Sequence, residues 1–315
     1  MTSPLLQRPG AVPAEGVDAG VAAHYGDPYR EQRQLAAGVA VVDRSHRPVV
    51  RISGPDRLTW LHSLTSQHVE HLQPDVWTQA LVLSPQGHVE HHLTLVDDGS
   101  AALAHVEPGT SEALLAFLAS MRFMLRVELE LTDLAVLSDA AGDRFVTSDD
   151  LQAYDGEAAG LDAYEALRVA ARRPRLGLDT DHRTIPHEVG WLGRAVHLDK
   201  GCYRGQETVA RVYNLGRPPR TLALLHLDGS DSTLPVPGEP VTLDGREVGR
   251  VGTAVRHHEL GPLALALVKR QVPDDAALLA GEVPARIDPA PADDTVPESP
   301  ARAAAVARAG LLRRT

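Results

Sequence analysis

Three apolar stretches, Trp77 to Ser84, His88 to Val96 and Ala101 to Val106, are joined by short turns at Pro85-Gln86-Gly87 and at Asp97-Asp98-Gly99, the latter followed by Ser100. Connections this short join antiparallel neighbours, because a parallel crossover needs a dozen or more residues. The chain is thereby committed to an antiparallel meander, which argues against a parallel doubly wound sheet. A second constraint is Asp244-Gly245, a strong two-residue hairpin signal between strands at 240–243 and 246–257. Leu263 to Val268 adds another strand, and after Gly216 the pattern is strands only. A small β-barrel or sandwich over 217–288 is expected, bounded near Arg217-Pro218-Pro219.

The region before it, 24–216, mixes both element types. Asp27 caps a helix with Pro28 at its first position and Gly38 at its end. Short strands follow at Val39–Asp43 and Pro48–Ser53. Gly54-Pro55-Asp56 starts a helix with Leu58, Leu61 and Leu64 on one face. Ser111 caps a helix through about Met121, and Val127, Leu129 and Leu131 alternate with charged neighbours as a half-wet strand. Strands at 134–138 and 144–147 precede a helix from Leu161 to Arg173, stopped by Pro174. Residues 1–23, rich in Pro, Gly and Ala, read as a disordered N-terminus. Residues 289–315 read as a disordered tail.

Composition sets outer limits. A net charge of −11 argues against broad electrostatic binding to nucleic acid or anionic membranes. One cysteine excludes an internal disulfide or an all-cysteine metal site within one chain. No apolar stretch approaches the roughly 20 residues of a membrane-spanning helix, and Met1 to Ala23 lacks a signal-peptide core. A cytoplasmic protein is expected.

Residues 200–214 stand out against this background. They hold the only cysteine, the only asparagine and one of two lysines, the other being Lys269. Lys200 and Arg204 flank Cys202 and would favour its thiolate, as would a helix beginning after Gly205 at Gln206-Glu207-Thr208. The alternative is a small buried hydrophobe. His187 and His197 are candidate bases for a Cys–His pair. In Thr184 to Trp191, Glu188 is placed to line a partly closed pocket, where a carboxylate accepts two hydrogen bonds from an amidine-like edge. No metal set with zinc spacing appears: His88, Glu90 and His92 would share a strand face, and His68 and His71 a helical face, both read as solvated. The arginines at 168, 172, 173 and 175 read as a solvated helix end, and phosphate-binding loops are absent.

The run Lys200-Gly201-Cys202-Tyr203-Arg204-Gly205-Gln206-Glu207 resembles the signature of the YgfZ-type folate-binding family, which includes a related mitochondrial iron–sulfur assembly factor. Gly54-Pro55-Asp56-Arg57, the Leu83-Ser84-Pro85-Gln86-Gly87 turn and 184–191 agree in order, so the resemblance spans roughly 24–288. The wider superfamily includes the aminomethyltransferase, or T-protein, of glycine cleavage. The resemblance implies an α+β ring of three domains around tetrahydrofolate: two subdomains with antiparallel sheets and a small C-terminal β-barrel. It implies Glu188 as the pterin-binding residue; the anionic folate tail makes Arg204, Arg211, Arg217 and Arg220 candidate partners by charge, and Tyr203 and Gln206 are further cofactor-binding candidates. It also implies Cys202 as a functional thiol, within a motif that includes Lys200, Gly201, Gly205 and Glu207. The transferases carry a catalytic aspartate near an Asn-Ala-x-Asn motif, but the only asparagine here is Asn214. The expectation is therefore a tetrahydrofolate-binding protein that assists synthesis or repair of iron–sulfur enzymes. Its partners would be iron–sulfur proteins or assembly factors, with an indirect effect on tRNA modification and no direct nucleic-acid contact. A folate-dependent aminomethyltransferase or demethylase is the alternative, and a folate-independent scaffold is a third reading.

Overall fold

The computed structural model describes residues 2–215, 218–230 and 233–289. Short strands β1 (Val12–Pro13) and β2 (Ala22–His24) precede α1 (Pro28–Ala36), where Asp27 accepts the Arg30 amide as foreseen. Next come β3 (Val41–Asp43), β4 (Val49–Ser53), α2 (Arg57–Leu64), β5 (Thr78–Leu83), β6 (Val89–Asp97) and β7 (Ala101–His105). Then follow α3 (Ser111–Ser120), β8 (Glu128–Thr132), β9 (Ala135–Asp139), β10 (Gly142–Val146), α4 (Ser148–Ala153), β11 (Ala158–Ala159), α5 (Leu161–Ala170) and α6 (Gln206–Leu215). The last strands are β12 (Arg220–Leu227), β13 (Pro240–Leu243), β14 (Arg246–His257), β15 (Gly261–Lys269), β16 (Leu278–Ala280) and β17 (Val283–Asp288).

The meander is present as expected: β5, β6, β7, β4 and β8 form, in that order, an antiparallel five-stranded sheet. One face buries Val50, Ile52, Leu93 and Leu95 against Trp60, Leu61, Leu114 and Leu118 of α2 and α3. At the edge of the opposite face, Leu81, Leu83 and Val89 pack on Val189, Trp191, Tyr203 and Val209. A second sheet, β10-β9-β3-β11, has one parallel pair, β3 with β11. β1 and β2 pair with each other, and the last six strands close into a barrel, β12-β15-β14-β13-β16-β17, with the β13–β14 hairpin turning at Asp244-Gly245.

Residues 2–23, expected to be disordered, are folded onto the second sheet. Leu5 packs with Val41, Leu137 and Leu151, and Val21 with Leu35, Val42 and Ala159. Ser3 donates to Asp43, and Arg8 Nη1 donates to Gly156 O at 2.7 Å. The segment's prolines and glycines lower its local propensity, but Leu5 and Val21 find partners distant in sequence, while Val12 and Val17 stay exposed. Residues 290–315, most of the expected tail, lie outside the described residues, as does Arg217.

Candidate functional site

A cavity of about 550 Å³ opens between the two sheets. Its walls come from the β3–β4 connection, β5 to β7, the β9–β10 hairpin and α5. Trp77, Tyr164 and Trp191 supply flat aromatic surface, with Trp77 also against Phe145 at 5.0 Å between ring centroids. Six arginines line it, Arg44, Arg47, Arg168, Arg173, Arg175 and Arg194, against three acids, Glu107, Asp139 and Asp143. Asp18, Glu165 and Asp179 just outside the lining pair with Arg168 and Arg175, so only Arg173 and Arg194 offer positive charge without an ion pair among the described residues.

The buried charges of the floor are tied to one another. Arg47 Nε donates to His105 Nδ1 at 3.0 Å, which makes Nε2 the protonated nitrogen; it faces Asp143 at 2.8 Å. Arg44 also holds Asp143 and lies 4.2 Å from the Tyr164 ring centroid. Glu107 is clamped between Arg47 and Arg175, and Arg175 reaches Asp18 and Glu165 as well. Burial raises the carboxyl pKa of Glu107 and of Asp143, but their partners outweigh it and hold both well below the usual range. Burial pushes His105 down to about 3 and His92 to about 4, so both rings are neutral at pH 7. Among the described residues, the exposed side chains of Arg173 and Arg194 are engaged in no ion pair or hydrogen bond.

The arginines at 168 and 175 therefore overturn the expectation of a solvated helix end: Arg168 is 2% exposed and pairs with Glu165 and Asp179. His92 also departs from expectation. A bulge sets Leu83 opposite Val89 but Val82 opposite His91, interrupting the alternation at Glu90. Glu90 stays outside against Arg204, while His92 is 8% exposed and stacks on Trp191 at 4.8 Å. His68 and His71 lie beyond the end of α2, in an irregular loop, so they share no helical face.

The cysteine motif is built on two anchors. Lys200 is buried and its ammonium donates to the carbonyls of His62, Thr65 (2.5 Å) and Gln67 (3.2 Å). Gly205, at φ +83°, passes so close to the 84–87 turn that an added Cβ would meet Ser84 O at 2.6 Å. Between them Gly201 and Cys202 are exposed, and Tyr203 is buried against the five-stranded sheet. Both cationic flanks point elsewhere, Lys200 to backbone carbonyls and Arg204 to Glu90 at 3.2 Å. Cys202 has no hydrogen-bond partner among the described residues, so no Cys–His pair with His187 or His197 is formed. Both ring nitrogens of His187 are buried without a partner, and burial lowers it to about 4.

None of the residues expected beside the folate lines this cavity. Glu188 is 2% exposed in a tight turn, Pro186–Val189, where it accepts the Ile185 amide and is held by Arg220 at 2.8 Å. Arg220 also binds Asp181, so Glu188 and Arg220 fasten the barrel to the 181–188 segment. Gln206 reaches Lys200 O at 3.4 Å, while Arg211 and Glu207 are exposed on α6. Adjacency in sequence says nothing of side-chain direction, and these carboxylate and guanidinium groups satisfy each other. The cavity residues missed, Trp77, Tyr164 and Arg194 among them, carry no compact motif. A weak signal existed in the scarcity of aromatics, which made each Trp worth placing.

Comparison with known proteins bears on this geometry. Residues 219–293 match the family model described as the C-terminal beta-barrel domain of CAF17. The crystal structure of glycine cleavage system aminomethyltransferase T from Bartonella henselae superposes with a TM-score of 0.76, covering 95% of this chain and 99% of that one at 17% identity. The fold is that of the glycine cleavage T-protein. A chloroplastic protein of Arabidopsis thaliana named as a transferase is 25% identical over 78% of this chain and 71% of its own length. An aminomethyltransferase of Moorella thermoacetica is 35% identical, over 35% of this chain and 29% of that protein. One from a Nostoc species is 33% identical over 42% and 34%. These likenesses support the aminomethyltransferase superfamily. No helix among the described residues is long and apolar enough to cross a membrane.

Proposed function

We propose that the chain binds tetrahydrofolate in the cavity between its two sheets and serves iron–sulfur enzymes through Cys202. The observation that carries the folate reading is the cavity itself: aromatic walls and two arginines without ion pairs among the described residues, in a fold shared with an aminomethyltransferase. A folate is a flat heteroaromatic ring with an anionic glutamyl tail. Trp77 and Tyr164 would take the ring, and Arg173 and Arg194, free of ion pairs among the described residues, the tail carboxylates. Cys202, exposed on a loop fixed at both ends, is the group offered to a partner protein. A single thiol contributes one of the roughly four ligands that an iron–sulfur cluster needs. Its role is therefore contact or thiol exchange with a partner in a cytoplasmic setting, and effects on tRNA modification follow indirectly.

The aminomethyltransferase reading is favoured by two relatives' names. The state of the cavity acids speaks against it. Glu107 and Asp143 are both bound by arginines, and carboxylates so stabilised are weak bases. Calorimetry with tetrahydrofolate tests the binding proposal. One equivalent should bind, and Trp77→Ala should weaken it by roughly tenfold, about the worth of one aromatic contact. Absence of binding to folded protein would sink the proposal. Turnover of an aminomethyl donor to methylenetetrahydrofolate would replace it with the transferase reading.

A further inference from the structure

We propose that His62, His68 and Glu70 form a site for one divalent transition-metal ion of the zinc or ferrous class, at the end of α2 and in the loop after it. Each residue offers one ligand atom, and the three atoms lie within 4.8 Å of one another. Tetrahedral ligands at 2.0–2.1 Å from a metal stand about 3.3 Å apart. Modest side-chain rotation closes the difference, and His68 is exposed and able to make it. Two imidazoles and a carboxylate suit zinc or iron and leave coordination positions open.

Three features separate this group from a chance gathering of surface histidines. His62 Nδ1 is buried with no hydrogen-bond partner, the state of an imidazole nitrogen waiting for a ligand. Its backbone is fixed, because Lys200 binds the carbonyls of His62, Thr65 and Gln67 from beneath and so sets the start of the loop. His71 and His197 stand 6.0 and 5.4 Å from the His68 ring, within reach as further donors. Burial, with Lys200 and His68 adding to it, keeps His62 below the usual histidine range, so metal has little proton to displace there at pH 7. The Lys200 charge opposes a cation nearby, and Glu70 and the three carbonyls offset it.

The site adjoins the cysteine loop through Lys200 but uses neither Cys202 nor the folate cavity, so the two proposals stand or fall separately. The test uses the untagged full chain, stripped with chelator and titrated with Co²⁺ by ligand-field absorption and with Zn²⁺ by competition. One equivalent should bind. His68→Ala and Glu70→Gln should each weaken binding at least roughly tenfold, with unchanged melting of the metal-free protein. Cys202→Ala should bind as the parent does. Failure to take up a stoichiometric ion overturns the proposal. So does uptake that survives both ligand substitutions, or uptake that disappears with Cys202, which would mark adventitious thiol binding.

Discussion

Lys200 and Cys202 sit two positions apart and have opposite fates. The lysine is buried under three carbonyls, and the cysteine faces solvent with no partner among the described residues. That the stretch around Cys202 is distinctive was legible from composition, since it holds the only cysteine and the only asparagine. The electrostatics inferred for it were not, because charges adjacent along a chain need not point at each other. Cys202→Ala removes no packing contact and should leave stability within about 0.5 kcal/mol. If the proposed role is right, the variant melts like the parent yet fails to complement a deletion strain. Full rescue would count against the role. Glu188 teaches the same lesson with another outcome. Its place next to Pro186 suggested a ligand, whereas Arg220 approaches from the barrel and occupies it.

At the scale of elements, two of the segments that carried the family resemblance, 83–87 and 200–207, turn out to touch. Gly87 lies beneath Thr208 of α6, and Gly205 beneath Ser84. Each has φ +83°, and at each an added Cβ falls under 3.0 Å from a neighbour. Gly205→Ala combines left-handed backbone strain with overpacking, about 2–5 kcal/mol together. A fall of that size in the urea-derived stability is expected, with Cys202 becoming more reactive toward thiol reagents as its loop loosens. Unchanged stability would mean that the turn and α6 do not depend on this contact. The strands of the meander and the barrel hairpin were readable because tight-turn residues punctuate them. The bulge near Glu90 was not, since it arises from pairing with β5. The N-terminal segment was misread for a related reason: Leu5 and Val21 find partners on β3, β9 and α1, far along the chain.

For the whole molecule, buried histidines make stability depend on pH, His92 and His105 in the cavity and His187 outside it. His92, His105 and His187 titrate in the folded state at about 4, 3 and 4. In the unfolded chain they take up protons near 6.5. Between these values the unfolded state binds more protons, so stability present above pH 6.5 is lost as pH falls toward 4, by on the order of 1–2 kcal/mol per histidine at pH 5. Below about 4 the depressed carboxyls of Glu107 and Asp143 extend the loss, since their contribution requires the charged form. Urea midpoints should therefore fall steadily from pH 7 to 4, and His92→Gln with His105→Gln should flatten the upper part of that slope. A midpoint constant from pH 7 to 5 would show that these rings are not held neutral.

The clamp on Glu107 has a further consequence for how the chain comes to be folded. Asp18 and Arg47 belong to the first sixth of the chain, yet both meet Arg175 or its partner Glu107. Val41 likewise pairs with Ala158. During synthesis Asp18 waits for Arg175 until more than half of the 315 residues have emerged, and Arg47 waits for Glu107 until about a third have. Contacts so distant in sequence are slow to close. The cavity is thus among the later parts of the α+β region to be completed, and nascent chains ending before Arg175 lack part of its wall.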